Sequence, residues 1–473
     1  MRMMELKDVL SATKGQALSE VKQKFQGIGT DTRQSLEGQL FVALKGDSFD
    51  AHNFLDKAVA QGAAGLLIHE DSPMAQSLKD KVTIIKVSDT LKGLQDLGNW
   101  ARRTAKATII GITGSNGKTT TKEFTAAILD SFKTVHYSKG SFNNHWGVPL
   151  TLLQLDPQKE IAVVEMGMNH AGEITELVKI AEPDIVCCTM VGRAHVEYFG
   201  TIEKIAEAKE EIYEAAKPNA TRVYNLDNPL TRKMYEKAQK KFPQAKLVTF
   251  SSQDPKADIY LKLEAMSLQS LKVAGHIEDE DGEVTVPVFG AQNLTNLMAA
   301  AANGIAAGLD PEQVWTGLSH CKTIWGRNQL LELKSGAQMI FDGYNANPDS
   351  MKALLDNVKI LATKGRKIGV FGEMLEMGSL ANSLHEELGE LVGKTGFDKV
   401  YFIGNSYEAF EKGLKKSGFK KAFNIAKDFK DDTAREFAHD LRPGDMAMVK
   451  GSRGMKLERF VLPCEPKDFS VNK

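Results

Sequence analysis

The run Gly111-Ile112-Thr113-Gly114-Ser115-Asn116-Gly117-Lys118-Thr119-Thr120 holds residue types that could grip phosphate. Glycines let a backbone curl until its N–H groups point inward at phosphate oxygens. A helix beginning just beyond adds partial positive charge. Lys118 would reach the terminal phosphates of a nucleotide, and Thr119 would offer a hydroxyl to magnesium. Ile112 stands where the general pattern G-x-x-x-x-G-K-[ST] has its first glycine. An ordinary glycine turn is the plain alternative. Against it, an apolar β-type run, Ala107 to Ile112, precedes the loop, and helical spacing of Phe124, Ala127 and Ile128 follows it.

Other positions could serve such a loop. Glu165 closes the apolar run Ala162-Val163-Val164. A carboxylate at the end of a central strand suits magnesium, because metal-bridged phosphates need oxygen ligands. A surface glutamate is the alternative. His195, in Gly192-Arg193-Ala194-His195-Val196-Glu197, is either a site residue or a solvated loop histidine. His170, in Met168-Asn169-His170-Ala171-Gly172-Glu173, reads as a structural or helix-start residue. Around Lys209, helical spacing puts Ile205, Ala208 and Ile212 on one face. Lys209 adjoins that face, and periodicity alone predicts an exposed side chain. In Tyr344-Asn345-Ala346-Asn347-Pro348-Asp349-Ser350, the phenol and paired amides suit peptide recognition, or else Asp349 or Ser350 caps a helix from Met351. Arg327 either meets ligand phosphates or pairs with a surface carboxylate; the second is the simpler expectation.

These residues need elements to hold them. In the first hundred residues, Leu40 to Leu44, Leu66 to Ile68 and Thr83 to Val87 read as strands. Phe54 to Ala64 and Leu91 to Ala105 read as helices. In the central portion, strands Ile161 to Val164, Asp184 to Met190 and Thr221 to Asn225 alternate with helices such as Glu203 to Ala216 and the alanine-rich Asn293 to Gly304. Such alternation predicts a mostly parallel sheet covered on both faces. Glu278 to Glu283 reads as a solvated hairpin turn, with cation binding as the alternative. A second alternating series has strands at Met339 to Phe341, Lys367 to Phe371, Lys399 to Ile403 and Met446 to Val449. A polar or glycine-containing loop follows each, so this unit also presents a binding edge. It lacks G-x-G-x-x-G after a strand, so a dinucleotide site is not supported. Three α/β domains are expected, at 1–105, 106–323 and 324–473.

Composition narrows the class. Apolar residues make up 42% and charged residues 26% of the 473, as in a globular protein with ample core. Lys+Arg number 60 and Asp+Glu 61, so no overall field recruits nucleic acid or an anionic membrane. No run of about 18 apolar residues suggests a membrane span, and Met1 to Leu10 lacks a signal-peptide core. Cys187, Cys188, Cys321 and Cys464 form no C-x-x-C pair. Buried free thiols and a cytoplasmic enzyme are expected.

With its motifs taken in order, the chain resembles the Mur ligase family, the ATP-dependent amide-bond formers of bacterial cell-wall precursor synthesis. The resemblance covers nearly the whole chain. It rests on Gly111 to Thr120, Glu165 in Glu-Met-Gly, His195 in Ala-His-Val-Glu, Lys209 in Ala-Lys-Glu-Glu-Ile, and Lys450 in Val-Lys-Gly-Ser-Arg. Tyr344 to Met351 and Phe142 to Pro149 are similar to the member that adds D-alanyl-D-alanine. Asp31-Thr32-Arg33 and Gly38 to Gly46 resemble the uridine-nucleotide domain of members adding the last peptide units. Ser141, Gln292 and Ala51 stand where the family usually has Asn, His and Gly.

The resemblance implies a uridine-nucleotide domain, a central P-loop domain and a C-terminal Rossmann-like, doubly wound domain. It implies transfer of D-alanyl-D-alanine to UDP-N-acetylmuramoyl-tripeptide, with ATP and two magnesium ions, by a cytoplasmic monomer. Gly114, Ser115, Asn116, Gly117, Lys118, Thr119 and Thr120 would hold ATP phosphates. Asn293 and Asn296 would meet adenine, and Arg327 and Asp342 would contact phosphate and ribose. Thr119 and Glu165 would bind one metal ion, and His195 with a carbamylated Lys209 the second. Asp31, Thr32, Arg33, Asn143, Asn144, Tyr344, Asn345, Asn347 and Ser350 would contact the other substrates. Another Mur ligase or a folylpolyglutamate synthase-like ligase is the alternative within the class. An ATP-binding switch that forms no amides is the alternative outside it.

Overall fold

The structure is a computed structural model and describes residues 3–138, 140–194 and 196–471. His195 therefore lies outside the described residues. Besides a two-stranded pairing of Met4–Glu5 with Lys24–Phe25, three larger sheets follow one another along the chain.

The first is five-stranded, in the order Gln16–Ser19, Thr83–Lys86, Gly65–Ile68, Leu40–Val42, Ile28–Gly29. Only Gln16–Ser19 runs antiparallel to its neighbour. Where one helix was expected over Phe54 to Ala64, a 3-10 turn, Ala51–Phe54, leads into the short helix Leu55–Ala60. Gly62, at φ +94°, reverses the chain before Gly65 enters its strand. The helix Thr90–Thr104 then leads to the middle unit. Asp89 caps it by accepting from the Lys92 N–H, and Arg102 and Arg103 occupy its last turn, where cations oppose the helix dipole. Gly98 on this helix lets it touch Pro149 of the middle unit; a Cβ there would lie 2.8 Å from Pro149 Cα.

The middle sheet has nine strands, in the order Glu280–Val286, Leu271–Ile277, Ile259–Met266, Leu247–Ser251, Thr221–Asn225, Ile185–Cys188, Thr108–Thr113, Ile161–Glu165, Val135–Tyr137. Seven are parallel, and the first two in that order extend the sheet as an antiparallel hairpin. The charged run makes that hairpin. Glu278, at φ +50°, and Asp279 form the turn, while Glu280 to Glu283 are already strand. The alternation of Thr108–Thr113 sorts its side chains. Ile110 and Ile112 enter one core with Phe124 and Ile128 of the helix Lys118–Asp130 and with Ala299 to Ala302 of the helix Asn293–Ala306. Ile109 enters the core on the other face, with Ile205, Ala208, Ile212 and Tyr213 of the helix Ile202–Glu214.

The third sheet has six strands, in the order Gln329–Glu332, Gln338–Asp342, Met446–Lys450, Lys367–Gly372, Lys399–Ile403, Ala422–Ala426. All but the first pair run parallel. All four cysteines are free and buried. Among the described residues no helix is long and apolar enough to cross a membrane.

Candidate active site

Strand Thr108–Thr113 delivers the chain to the loop at the carboxyl edge of the middle sheet. Ile112 is fully buried and pairs with Glu165 and Cys187, so the strand runs through the place of the pattern's first glycine. The loop turns on Gly114 (φ +148°) and Gly117 (φ +83°). A Cβ on Gly114 would lie 1.9 Å from Thr189 Oγ1, and one on Gly117 would lie 2.2 Å from Asn296 Oδ1. Ser115 Oγ donates to the Gly192 carbonyl (3.0 Å) and accepts from the Gly192 N–H (2.8 Å). Thr189 Oγ1 donates to the Asn116 carbonyl at 2.6 Å. The loop's shape is thus fixed by the neighbouring strand's exit before any ligand arrives.

Lys118 opens the helix and folds its Nζ back onto the Gly114 carbonyl at 2.8 Å. Burial pushes its pKa down, and the Glu165 carboxylate opposes that shift. Glu165 is buried at the end of Ile161–Glu165. Its Oε1 accepts from Asn143 Nδ2 at 2.7 Å, while its Oε2 is buried with no hydrogen-bond partner among the described residues. A buried carboxylate oxygen without a donor is costly, and a divalent cation removes that cost. The surface alternative for Glu165 is set aside by this burial. Ser141 Oγ lies 3.3 Å from Thr119 Oγ1, within the same cavity.

From the third unit, Arg327 Nη2 donates to Thr119 Oγ1 at 3.1 Å, and its guanidinium lies 4.4 Å from the centre of the Tyr344 ring. Its Nε is buried without an acceptor among the described residues, a donor suited to an anion. The expected surface carboxylate is not its partner among the described residues. One cavity of about 220 Å³ is lined by Lys118, Thr119, Asn143, Glu165, Arg327, Tyr344 and Asn345. An adjoining one of about 240 Å³ is lined by Asn116, Gly117, Thr120, Asn293, Asn296, Asp342 and Ser350 among others. Asn296 Nδ2 donates to Asn293 Oδ1 at 2.9 Å, so these two amides orient each other. Asp342 pairs with buried Lys450, whose Nζ also donates to the Asn345 carbonyl at 3.0 Å.

Lys209 corrects the periodicity expectation: its side chain is buried, not exposed. Ile205 and Ile212 each contribute on the order of 1.5–3 kcal/mol on burial and Ala208 about 0.8 kcal/mol, enough to seat the helix with an amine among them. The charge is what gives way. Burial, with Lys118 adding to it, pushes the amine down to about 7. It has no hydrogen-bond or ion-pair partner among the described residues.

The Asn347 loop resolves its helix cap differently from expectation. Asn347 itself, not Asp349 or Ser350, caps the helix Pro348–Ile360, in a reciprocal box with Ser350. Its Nδ2 also donates to Asn116 Oδ1 at 2.7 Å, joining the third unit to the phosphate loop. Asp349 Oδ2 accepts from the Arg193 N–H at 2.7 Å. Asn144 Oδ1 accepts from the Gly147 N–H (2.9 Å) at the start of the helix Gly147–Leu153. His170 sits ahead of the helix Glu173–Ala181, its Nδ1 3.2 Å from Glu173, in keeping with a helix-start role.

Asp31, Thr32 and Arg33 lie apart from these cavities, lining a cleft of about 980 Å³ on the first unit. Arg33 Nη2 and Asp31 Oδ2 are 2.8 Å apart, and this hydrogen bonding holds the Asp31 carboxyl at about 2. Lys45, Phe49, Phe54 and, from the middle unit, Trp146 share the cleft. Sequence reasoning missed these as site residues. It missed Lys122 too, a buried lysine whose Nζ donates to the Ser138 and Gly140 carbonyls and shapes the turn leading to Ser141.

Residues 24–101 match the profile described as Mur ligase family, catalytic domain; residues 112–304 match Mur ligase middle domain; residues 326–453 match Mur ligase, glutamate ligase domain. The chain belongs to the Mur ligase family. It is 36% identical over 435 residues to the UDP-N-acetylmuramoyl-tripeptide–D-alanyl-D-alanine ligase of Bacillus subtilis (strain 168), covering 92% of each chain. Its fold superposes on MurF from Acinetobacter baumannii with a TM-score of 0.87, 28% identity and 98% of each chain covered. MurF ligase from Thermotoga maritima in complex with ADP gives 0.76 at 28% identity, over 92% of this chain and 96% of that one.

Proposed function

We infer that this chain is an ATP-dependent ligase joining D-alanyl-D-alanine to UDP-N-acetylmuramoyl-tripeptide. The observation that carries the chemistry is the shared cavity, where Lys118, Thr119 and Glu165 of the middle unit face Arg327 and Tyr344 of the third. The full-length likeness to D-alanyl-D-alanine ligases supports the substrate assignment.

The tripeptide carboxylate attacks the ATP γ-phosphate, giving an acyl phosphate and ADP. The dipeptide amine then displaces phosphate and forms the amide. In the first step two anions must meet. At ~4 Å two unit charges repel by about 4 kcal/mol at an effective dielectric of ~20. Lys118 and Arg327 offset that repulsion and stabilise the transferring phosphoryl group. The third unit, seated on the loop through Arg327 and Asn347, keeps water from the acyl phosphate.

Magnesium, when bound, supplies charge neutralisation on the phosphates. Thr119 and the Glu165 Oε2, which has no partner among the described residues, fit one ion, and carbamylated Lys209 with His195 would hold a second. Lys209 suits carbamylation because a buried amine near neutrality can lose its proton and react with carbon dioxide. Asn293, Asn296 and Asp342 would take the nucleoside. Asp31, Thr32 and Arg33 would take the uridine nucleotide. The Tyr344 to Ser350 loop, Asn143 and Asn144 would guide the peptides. We assign the three domains the bounds 1–105, 106–323 and 324–473. We place the enzyme in the cytoplasm, in keeping with its likeness to ligases of precursor synthesis, and as a monomer, since one chain supplies every group named.

Phosphate release with defined UDP-tripeptides and candidate amines tests the assignment. Release dependent on both tripeptide and D-alanyl-D-alanine is expected. Dependence on another amine would point to a different ligase, and release without any peptide to a nucleotide switch.

A further inference from the structure

We propose that Asn328 accepts a hydrogen bond from a ribose hydroxyl of ATP and so selects ribonucleotides over deoxyribonucleotides. The proposal rests on the nucleotide reading above and adds a residue to it. Asn328 stands just before the strand Gln329–Glu332, which pairs antiparallel with Gln338–Asp342. Gln329 lies opposite Phe341, so Asn328 and Asp342 meet at that end of the pair. The Asn328 N–H donates to Asp342 Oδ1 at 3.3 Å. Both residues line the cavity of about 240 Å³ beside the phosphate loop, which neither Lys118 nor Glu165 lines.

An unused acceptor sets Asn328 apart. The residue is only 9% exposed, and its Oδ1 is buried with no hydrogen-bond partner among the described residues. Every other amide oxygen lining the cavity is engaged. Asn116 accepts from Asn347 Nδ2, Gln292 from Asn357 Nδ2, and Asn345 from the Ala346 N–H. Asn293 accepts from Asn296 Nδ2, and Asn296 from Thr121 Oγ1. The cations of the cavity do not reach Asn328 Oδ1 either. Lys450 donates to Asp342 and to the Asn345 carbonyl, and Arg327 donates to Thr119 Oγ1. A buried amide oxygen left in this state is costly, and a donor on a ligand removes the cost.

The identity of that donor follows from the chemistry of ATP. Its ionised phosphates only accept. Its donors are the two ribose hydroxyls and the 6-amino group of adenine. Arg327, one residue earlier, reaches Thr119 of the phosphate loop, so this segment leaves the phosphate end of the site at Asn328. The ribose adjoins the phosphates, whereas the 6-amino group lies on the far edge of the base. The Asp342 carboxylate retains lone pairs beyond those facing Lys450 and the Asn328 N–H. Two acceptors side by side match the two adjacent hydroxyls of a ribose.

Equilibrium binding of ATP, 2′-deoxy-ATP, 3′-deoxy-ATP and inosine triphosphate to the full chain tests this, in the parent and in Asn328→Gly. Glycine keeps the left-handed backbone, φ +52°, and the N–H that meets Asp342, while removing the amide. The parent is expected to bind one deoxy analogue about tenfold more weakly than ATP, as for an acceptor left buried and unpaired. Asn328→Gly should bind ATP about tenfold more weakly and shed most of that discrimination, with its preference for ATP over inosine triphosphate kept. Equal binding of ATP and both deoxy analogues by the parent would overturn the proposal. So would a variant that keeps the parent's ratios for both, since a merely structural role weakens all nucleotides alike. Loss of discrimination against inosine triphosphate, with the deoxy ratios intact, would overturn it by giving the amide to the base. A parent chain that binds no ATP would instead refute the nucleotide reading itself.

Discussion

Lys209 shows what a single side chain's surroundings add to its position in a helix. Helical arithmetic places it beside the apolar face, where a lysine can reach solvent, yet the structure encloses it. The phosphate-loop strand and the helix lie on the same core, and Lys118 shares the neighbourhood. Lys209→Ala is expected to lose most activity, and a small carboxylic acid such as acetate should restore part of it by filling the vacated position. Full phosphate release by the variant without added acid would refute the assignment. Lys118→Ala should also remove most turnover, since no other residue of the loop carries a charge; near-parent kcat at saturating ATP and magnesium would contradict it. Glu165 was legible from its place at a strand end. Arg327 and Lys209 were not legible from pattern alone, because Thr119, which Arg327 meets, and the core that encloses Lys209 come from segments distant in sequence.

At the scale of elements, the loop and the helix caps carry the consequences. Gly117→Ala must place a methyl group 2.2 Å from Asn296 Oδ1 at a left-handed backbone position. A cost of about 1–3 kcal/mol is expected, with weakened ATP binding, both readable by thermal unfolding with and without nucleotide. Asn347→Ala removes a helix cap, worth about 1 kcal/mol, together with the bond to Asn116. It should lower Tm and weaken use of D-alanyl-D-alanine more than ATP binding; an unchanged dipeptide KM would leave Asn347 a cap alone. The strands bearing these loops were legible because buried parallel strands read as continuous apolar runs. The hairpin was legible from its charged turn; the short helix Leu55–Ala60 was less so, because its first turn is 3-10 and the chain reverses at left-handed Gly62.

For the whole molecule, the third unit is seated on the middle one by polar contacts such as Arg327–Thr119, Asn347–Asn116 and Asn357–Gln292 and by Phe289 in the third unit's core. Arg193 Nε meets Asp349 Oδ1 at 3.2 Å, beside the Asn116–Asn347 pair. Arg193→Ala should loosen the seat, seen as a larger radius of gyration in solution scattering and a higher KM for ATP; unchanged scattering would show that the remaining contacts suffice. Such contacts join residues more than 150 positions apart, which is why the sequence alone left the arrangement of the units open.

The burial of the cysteines has a practical outcome. Burial raises the pKa of all four thiols, Cys188 to about 11 and Cys464 to about 12, so the reactive thiolate is scarce and shielded in the native chain. An alkylating reagent should therefore modify only molecules that have opened. Three of these sulfurs report on the middle unit and Cys464 on the third, while the first unit contains none. Mass-resolved alkylation over time thus becomes a built-in stopwatch for the breathing of two units separately, with no label to introduce.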